Sequence, residues 1–118
     1  MDLVAVEEEF LPPFKPTLVR TGLAMELPIG VEGQIRPRSG LALKKGITVW
    51  NAPGTLDPTY RGEVGVILLS CSPKGSIIEK GDRIAQIVFS RYVAMTPEEV
   101  DTLSDTLRGE GGFGSTGH

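Results

Sequence analysis

The chain has 118 residues and a formal net charge of −3, the length of one domain, since two cores of half that size would each be marginal. Positive and negative residues are interspersed, which excludes the dense basic face of a nucleic-acid binder. Any anionic ligand must therefore be met by a few placed cations.

Fifteen glycines and nine prolines without a repeating period point to an all-β domain with frequent turns. Residues 3–6 form a short strand candidate, followed by an acidic, proline-rich passage to Pro16. Residues 17–26 read as a strand broken at Gly22, ending at the turn signal LPIG (27–30). Residues 31–36 alternate apolar and polar, as a half-buried strand does. Residues 39–45 spell a short helix, with Ser39 as N-cap and Gly46 as stop. Residues 47–50 are β-branched and apolar, and 63–70 are a strong strand. The turn-rich stretch 51–60 between them predicts a hairpin with a long, shaped connection. Residues 76–79 are a short strand between Gly75 and Gly81, and 83–93 are strand again. TPEE (96–99) is a helix start, with Thr96 as N-cap, Pro97 first and acids in the first turn, and this helix is expected to reach about Leu103. Beyond Arg108 the chain is too rich in glycine to order itself. An all-β chain with one or two short helices must close into a barrel or sandwich, or cover its edges with partners.

Cys71 is the only cysteine, so an intrachain disulfide is impossible and a reducing compartment is the simpler expectation. Beside the apolar residues 67–69 it reads as an inert strand residue, with no histidine to activate it. The apolar runs fall far short of the ~20 residues that span a bilayer. Asp2 and Glu7 to Glu9 stand where a signal peptide carries positive charge, so the cytoplasm is the default setting.

RPRSG (36–40) is a compact anion-binding candidate, because guanidiniums grip phosphate oxygens in pairs and amides at a helix start favour negative charge. It reads equally well as a polar turn with two solvated arginines. Asp57 lies three residues before Tyr60 in the turn-rich connection. A loop aspartate is commonly a turn cap; its functional reading is a general base that deprotonates water. Tyr60 is either a packing residue or a ligand platform, and Asn51 with Arg61-Gly62 frames both. In GDRIAQ (81–86), Asp82 and Arg83 can pair at the surface, while an inward Gln86 amide would need a partner. The tail RGEGGFGSTG (108–117) fits G-x-G-x-x-G, yet no strand precedes it and no helix follows, which excludes a dinucleotide-binding turn. A plain terminal linker has no use for its arginine, phenylalanine and Ser-Thr pair. A lid over a nucleotide does: Phe113 to stack on a base, Arg108, Ser115 and Thr116 to bind phosphates, glycines for close approach. His118 is the only histidine and is terminal, which argues against imidazole metal sites and Ser-His catalysis.

In their order these segments resemble the five motifs of the trimeric dUTPase family. DLVA (2–5) is similar to the end of the first, RPRSGLALKKG (36–46) to the second and NAPGTLDPTYRG (51–62) to the third; GDRIAQ is similar to the fourth and RGEGGFGSTG to the fifth. The resemblance implies a jelly-roll-like all-β subunit and a homotrimer whose three active sites lie between subunits. Residues 1–107 would be the β domain and 108–118 the lid. It implies hydrolysis of dUTP to dUMP and pyrophosphate by water attack on the α-phosphorus, which limits uracil in DNA and supplies dUMP for dTMP synthesis. By the same resemblance Asp57 is the catalytic base and Asn51 reads uracil, while Tyr60 packs beneath deoxyribose. Ser39, Gly40 and Gln86 hold the phosphate chain with Arg38 in support. Arg108 acts much like an arginine finger from another subunit, with Phe113, Ser115 and Thr116 closing over the substrate. Asp2 holds waters on a Mg²⁺ bound mainly by the phosphates, in keeping with magnesium's retention of water.

Two departures stand out. Thr59 occupies a position where many relatives carry an acid or glycine, with little effect expected. Met1 directly precedes Asp2, where relatives usually have a further strand and a glycine-rich lead-in. The expectation is that the chain lacks a native N-terminal segment and that Asp2 is poorly held. Two rivals share the scaffold: a dCTP deaminase, similar in its RPRS- and DPxY-like segments, and a non-catalytic nucleotide-binding trimer. The tail around Phe113 and the loop from Asn51 to Asp57 favour the hydrolase over the deaminase, and the presence of Asp57, Tyr60, Arg108 and Phe113 argues against the non-catalytic trimer.

Overall fold

The computed structural model describes residues 1–117. Its elements are β1 (Asp2–Val4), β2 (Glu9–Leu11), β3 (Thr17–Arg20), β4 (Val31–Arg36), α1 (Ser39–Lys45), β5 (Ile47–Val49), β6 (Gly54–Leu56), β7 (Gly65–Ser70), β8 (Ser76–Ile78) and β9 (Arg83–Arg91). One sheet has the order β1-β9-β4-β6, a second β3-β7-β5, and β2 and β8 form a two-stranded ribbon. Strand pairing within the three sheets is antiparallel throughout. The all-β expectation with a short helix holds.

All three sheets turn apolar residues into one core. Leu3, Ile35, Leu56, Ile84 and Ile87 come from the first, Val19, Ile47, Val49, Val66 and Leu68 from the second, Leu11 and Ile78 from the ribbon. Residues 31–36 alternate as the sequence pattern demands, with Gly33 and Ile35 buried between less buried neighbours. A side chain at 33 would collide with the strands on either side. A Cβ there would lie 2.9 Å from Ile87 Cδ1 and 3.1 Å from Leu56 Cβ. Polar groups inside are paired: Ser70 Oγ lies 2.7 Å from Ser76 Oγ, tying β7 to β8, and the Thr21 hydroxyl donates to Val64 O. An unpaired buried group would cost far more than the bond returns.

Several sequence readings need correction. The helix expected over 96–103 is absent, because every residue from 91 to 110 is exposed. A helix of two turns has a costly nucleus and needs a packing surface that this chain does not supply there. Ser39 is the first helical residue rather than the cap. Arg38 is the N-cap, extended at φ −101 and ψ 130, since Ala42 N–H already donates to Arg38 O at 3.1 Å. Gly46 stops the helix as expected, left-handed at φ 63. The strand from Thr17 ends at Arg20, because the chain turns at Gly22 (φ 72). β2 and β6 lie in passages that read as acidic, proline-rich or turn-forming. Cys71 is exposed and follows the end of β7, so it is not a strand residue. No helix among the described residues is long and apolar enough to cross a membrane.

Candidate functional site

The sequence-distant Asp2, Arg38 and Gln86 meet at one end of the first sheet. Gln86 in β9 stands in register with Asp2 of β1 on one side and Arg36 of β4 on the other. Its side-chain amide donates to Pro37 O at 3.1 Å. Gln86 therefore faces outward and is exposed, while Ala85 and Ile87 point into the core. The Asp2 carboxylate lies between two guanidiniums, 3.6 Å from Arg38 Nε and 3.6 Å from Arg83 Nη1. Arg38 Nη1 also donates to Arg83 O at 3.2 Å. Strand pairing and these arginines hold Asp2, where the sequence reading left it poorly held. Long, partly exposed ion pairs of this kind are worth little, so both arginines can exchange them for phosphate oxygens. Ser39 and Gly40 follow directly on Arg38, exposed.

A second grouping forms a cleft of about 200 Å³ lined by Leu18, Ile35, Asn51, Tyr60, Glu63 and Gly65, among others. Gly54 lets Asn51 lie close to the sheet: a Cβ there would be 3.3 Å from Ile35 Cβ and 3.4 Å from Asn51 Nδ2. The Tyr60 ring lies over Gly62, and its hydroxyl donates to Glu63 O at 2.7 Å. Glu63 is itself anchored, accepting from Arg20 Nε at 3.0 Å and from Gly22 N–H at 2.8 Å. The Arg20 hydrogen bond, with the Gly22 amide behind it, holds the Glu63 carboxyl below the usual range. Arg61 braces the loop, donating to Pro58 O at 2.6 Å and pairing with Glu26 at 3.0 Å.

Asp57 follows β6, exposed, and is not part of this cleft's lining. Its Oδ1 accepts from Thr59 N–H at 2.8 Å and from the Thr59 hydroxyl at 2.7 Å. The Thr59 amide first, then its hydroxyl, keep the Asp57 carboxyl ionised to lower pH than an ordinary aspartate.

The tail forms a third grouping. Arg108 Nε donates to Gly111 O at 2.6 Å, and turns close at Ser115 and Gly117. Arg108, Ser115 and Thr116 line one concavity, and Phe113, left-handed at φ 53, holds its ring in solvent. The tail is thus turned on itself, where the sequence predicts no order. The radius of gyration of 18.7 Å exceeds the about 13.5 Å of a compact chain this long, because the chain beyond Tyr92 runs out from the body. Among the described residues no hydrogen bond or ion pair joins the tail to Asp2, Arg38, Asn51 or Tyr60. His118, with the readings placed on it, lies outside the described residues.

The structure therefore leaves the tail apart from the other candidates and Asp57 in its own loop, while Gln86, Arg36 and Pro37 share a concavity with Ala52 and Pro53, beside Asn51. Glu63 and Arg20 went unread as site residues in the sequence. Arg83, read as able to pair with Asp82, pairs with Asp2 instead, and the Asp82 carboxylate accepts from Glu79 N–H at 2.9 Å. Among the described residues no three His, Cys, Asp or Glu side chains converge into a metal cage.

The sequence profile of the dUTPase family matches residues 1–117. The deoxyuridine 5′-triphosphate nucleotidohydrolase of Clostridium tetani is 53% identical over 117 residues, covering 99% of this chain and 81% of the relative. That of a Hydrogenobaculum species is 56% identical over 118 residues, covering 99% and 82%. A mutant dUTPase of Staphylococcus bacteriophage 80alpha, solved with dUpNHpp, superposes with a TM-score of 0.88 at 25% identity, covering 99% of this chain and 85% of that one. A mutant dUTPase of the S. aureus phage phi11, whose structure shows a structural Mg(II) ion, superposes at a TM-score of 0.76 with 20% identity, covering 86% and 82%.

Proposed function

The chain belongs to the dUTPase family, and we infer from that membership that it hydrolyses dUTP to dUMP and pyrophosphate. It is a dUTP diphosphatase on a jelly-roll of short antiparallel strands. The observation that carries the reading is the profile match across residues 1–117, which spans all three residue groups. A dCTP deaminase of the same scaffold is not favoured.

Water attacks the α-phosphorus, its proton passes to the Asp57 carboxylate, and the bond to the bridging oxygen breaks as pyrophosphate leaves. The two Thr59 donors on Asp57 Oδ1, which leave Oδ2 without a partner in the loop, support this role. Asn51 and the adjoining backbone read uracil in the cleft, with Tyr60 beneath the deoxyribose. Arg38, Ser39, Gly40 and Gln86 take the phosphate chain, and the exchangeable Arg38–Asp2 contact supports that assignment. Arg108, Phe113, Ser115 and Thr116 close the site as a lid formed by residues 108–118, excluding water from the reacting phosphate.

A Mg²⁺ held mainly by the phosphates fits this donor set, because a lone carboxylate flanked by two arginines offers water-mediated contact rather than a cage. When bound it neutralises charge on the phosphate chain, and Asp2 would hold its waters. The assembly is a homotrimer in this reading. What supports it is the separation of the tail from the other groups in one chain and the exposed Val93, Met95, Leu103 and Leu107 along the outstretched segment. Pyrophosphate and ammonia release, measured across the deoxynucleoside triphosphates, test the activity. Pyrophosphate from dUTP alone is expected; ammonia from dCTP would overturn it.

A further inference from the structure

Thr59 does more in this loop than its exposed position suggests. Its amide and its hydroxyl both donate to the same oxygen, Asp57 Oδ1, at 2.8 and 2.7 Å. The loop that presents it is stiff. Tyr60 N–H closes the turn on Asp57 O at 3.0 Å, and the buried Pro58 has its carbonyl pinned by Arg61 at 2.6 Å. The loop's own cation is occupied, since Arg61 pairs with Glu26 and donates to Pro58 O and Tyr60 O. Among the described residues no other side chain donates to Asp57, and no cation forms an ion pair with it.

We propose that Thr59 is a positioning residue for Asp57, fixing the carboxylate by its Oδ1 so that Oδ2 alone is offered to the attacking water. The inference rests on the reading of Asp57 as general base. An aspartate without such a tie can rotate about two side-chain bonds and offer either oxygen. With Oδ1 held by two donors, the carboxylate plane is set and one oxygen remains for the proton. A base must sit within hydrogen-bond reach of its proton before its acidity matters, and small misplacements are costly in rate. A glycine at 59 would keep the amide donor and lose the hydroxyl; an acid would set a second negative charge beside the base. The threonine hydroxyl therefore marks a difference in how this chain holds its carboxylate.

The test uses the full chain with saturating dUTP, following pyrophosphate release against pH, with KM measured alongside. Thr59→Val keeps the shape and the amide but removes the hydroxyl donor, and Thr59→Ser restores a donor. Thr59→Val is expected to lower kcat about three- to tenfold, the range for losing one exposed bond to a charged group. KM stays unchanged and the acid limb of the kcat profile moves to higher pH, while Thr59→Ser stays close to the parent. Parent-like kcat and acid limb in Thr59→Val would overturn the proposal, as would an effect confined to KM. A Thr59→Ser variant as slow as Thr59→Val, with both melting below the parent, assigns Thr59 a purely structural role and also overturns it. Asp57→Asn separates this from failure of the underlying reading: if it turns over dUTP like the parent, Asp57 is not the base. If it is inactive while Thr59→Val is normal, only the role of Thr59 is lost.

Discussion

Gly62→Ala is the sharpest probe of the cleft. A Cβ at 62 would sit 2.5 Å from Tyr60 Oη, 2.6 Å from Cζ and 2.9 Å from Cε1. Non-bonded carbons settle at roughly 3.5 to 4 Å, so the ring must retreat by about 1 Å. Tyr60 is 44% exposed and its ring is the free end of a side chain, so the retreat is open to it and the fold survives. The move breaks the Tyr60 hydroxyl bond to Glu63 O, a loss of about 1 kcal/mol in stability. The larger effect falls on function, because a displacement near 1 Å at a positioning group costs roughly ten- to a hundredfold in rate. We expect kcat/KM for dUTP to drop by that factor. If Tyr60 is the sugar platform and disfavours a ribose 2′-hydroxyl, UTP changes less and the dUTP-to-UTP preference narrows. Pyrophosphate release from both nucleotides, with size-exclusion chromatography to confirm an unchanged assembly, measures this. A Gly62→Ala enzyme that keeps both the parent kcat/KM and the parent preference would refute Tyr60 as the sugar platform.

Glu63→Gln tests the anchor behind Tyr60. The Glu63 carboxyl is depressed below its ordinary 4.5 by Arg20 and the Gly22 amide, so its stabilisation is present above that value and is lost as pH falls through the lower folded value. Parent and variant should therefore differ in melting temperature at neutral pH and converge below pH 4.5; a constant gap would contradict this. Phe113→Ala should raise KM for dUTP while chromatography shows the parent assembly, and loss of the assembly would contradict the lid role. Chelation of divalent ions should lower dUTP turnover while leaving the melting curve unchanged, since no acidic cage among the described residues depends on a metal; a large fall in melting temperature would point to a structural ion.

The strands were legible where one face meets the core. Residues 31–36 alternate because Ile35 and Gly33 pack on Ile87 and Leu56, and that constraint writes itself into the sequence. β6 was hidden because Asn51, Pro53, Gly54, Asp57 and Pro58 crowd a three-residue strand with turn formers, and only pairing with Gly33 to Ile35 makes 54–56 a strand. The opposite error arose at 96–103. Thr96, Pro97 and two glutamates are a sound local start, but a helix is decided by the surface that covers it, and here the whole segment is exposed. The sequence leaves open whether Gln86 faces inward; in β9 it is exposed between the buried Ala85 and Ile87.

The site divides along the same line. Asp2, Arg38 and Gln86 were recognisable by motif, and the sheet brings them to one end through β1, β9 and β4. Asn51 and Tyr60 were recognisable too, yet their cleft measures about 200 Å³, below the roughly 300 Å³ at which ligand pockets begin. A nucleotide with three phosphates cannot be enclosed by that cleft. In the proposed reading the walls it lacks come from the phosphate-side group, which already shares a concavity with Ala52 and Pro53, and from the tail, which no hydrogen bond among the described residues carries there. The glycine-rich tail has residues suited to closing a site but stands at the end of an exposed segment that leaves its own body. Local sequence chemistry names such residues without saying which copy of the chain they serve; in the proposed homotrimer that choice falls to surfaces that become neighbours only on assembly. A mixed trimer tests this directly. Combining Asp57→Asn subunits with Arg108→Ala subunits, each inactive alone, should restore turnover at sites that draw an intact Asp57 and an intact Arg108 from different chains. No recovery in mixed assemblies of confirmed composition would show that each subunit completes its own site.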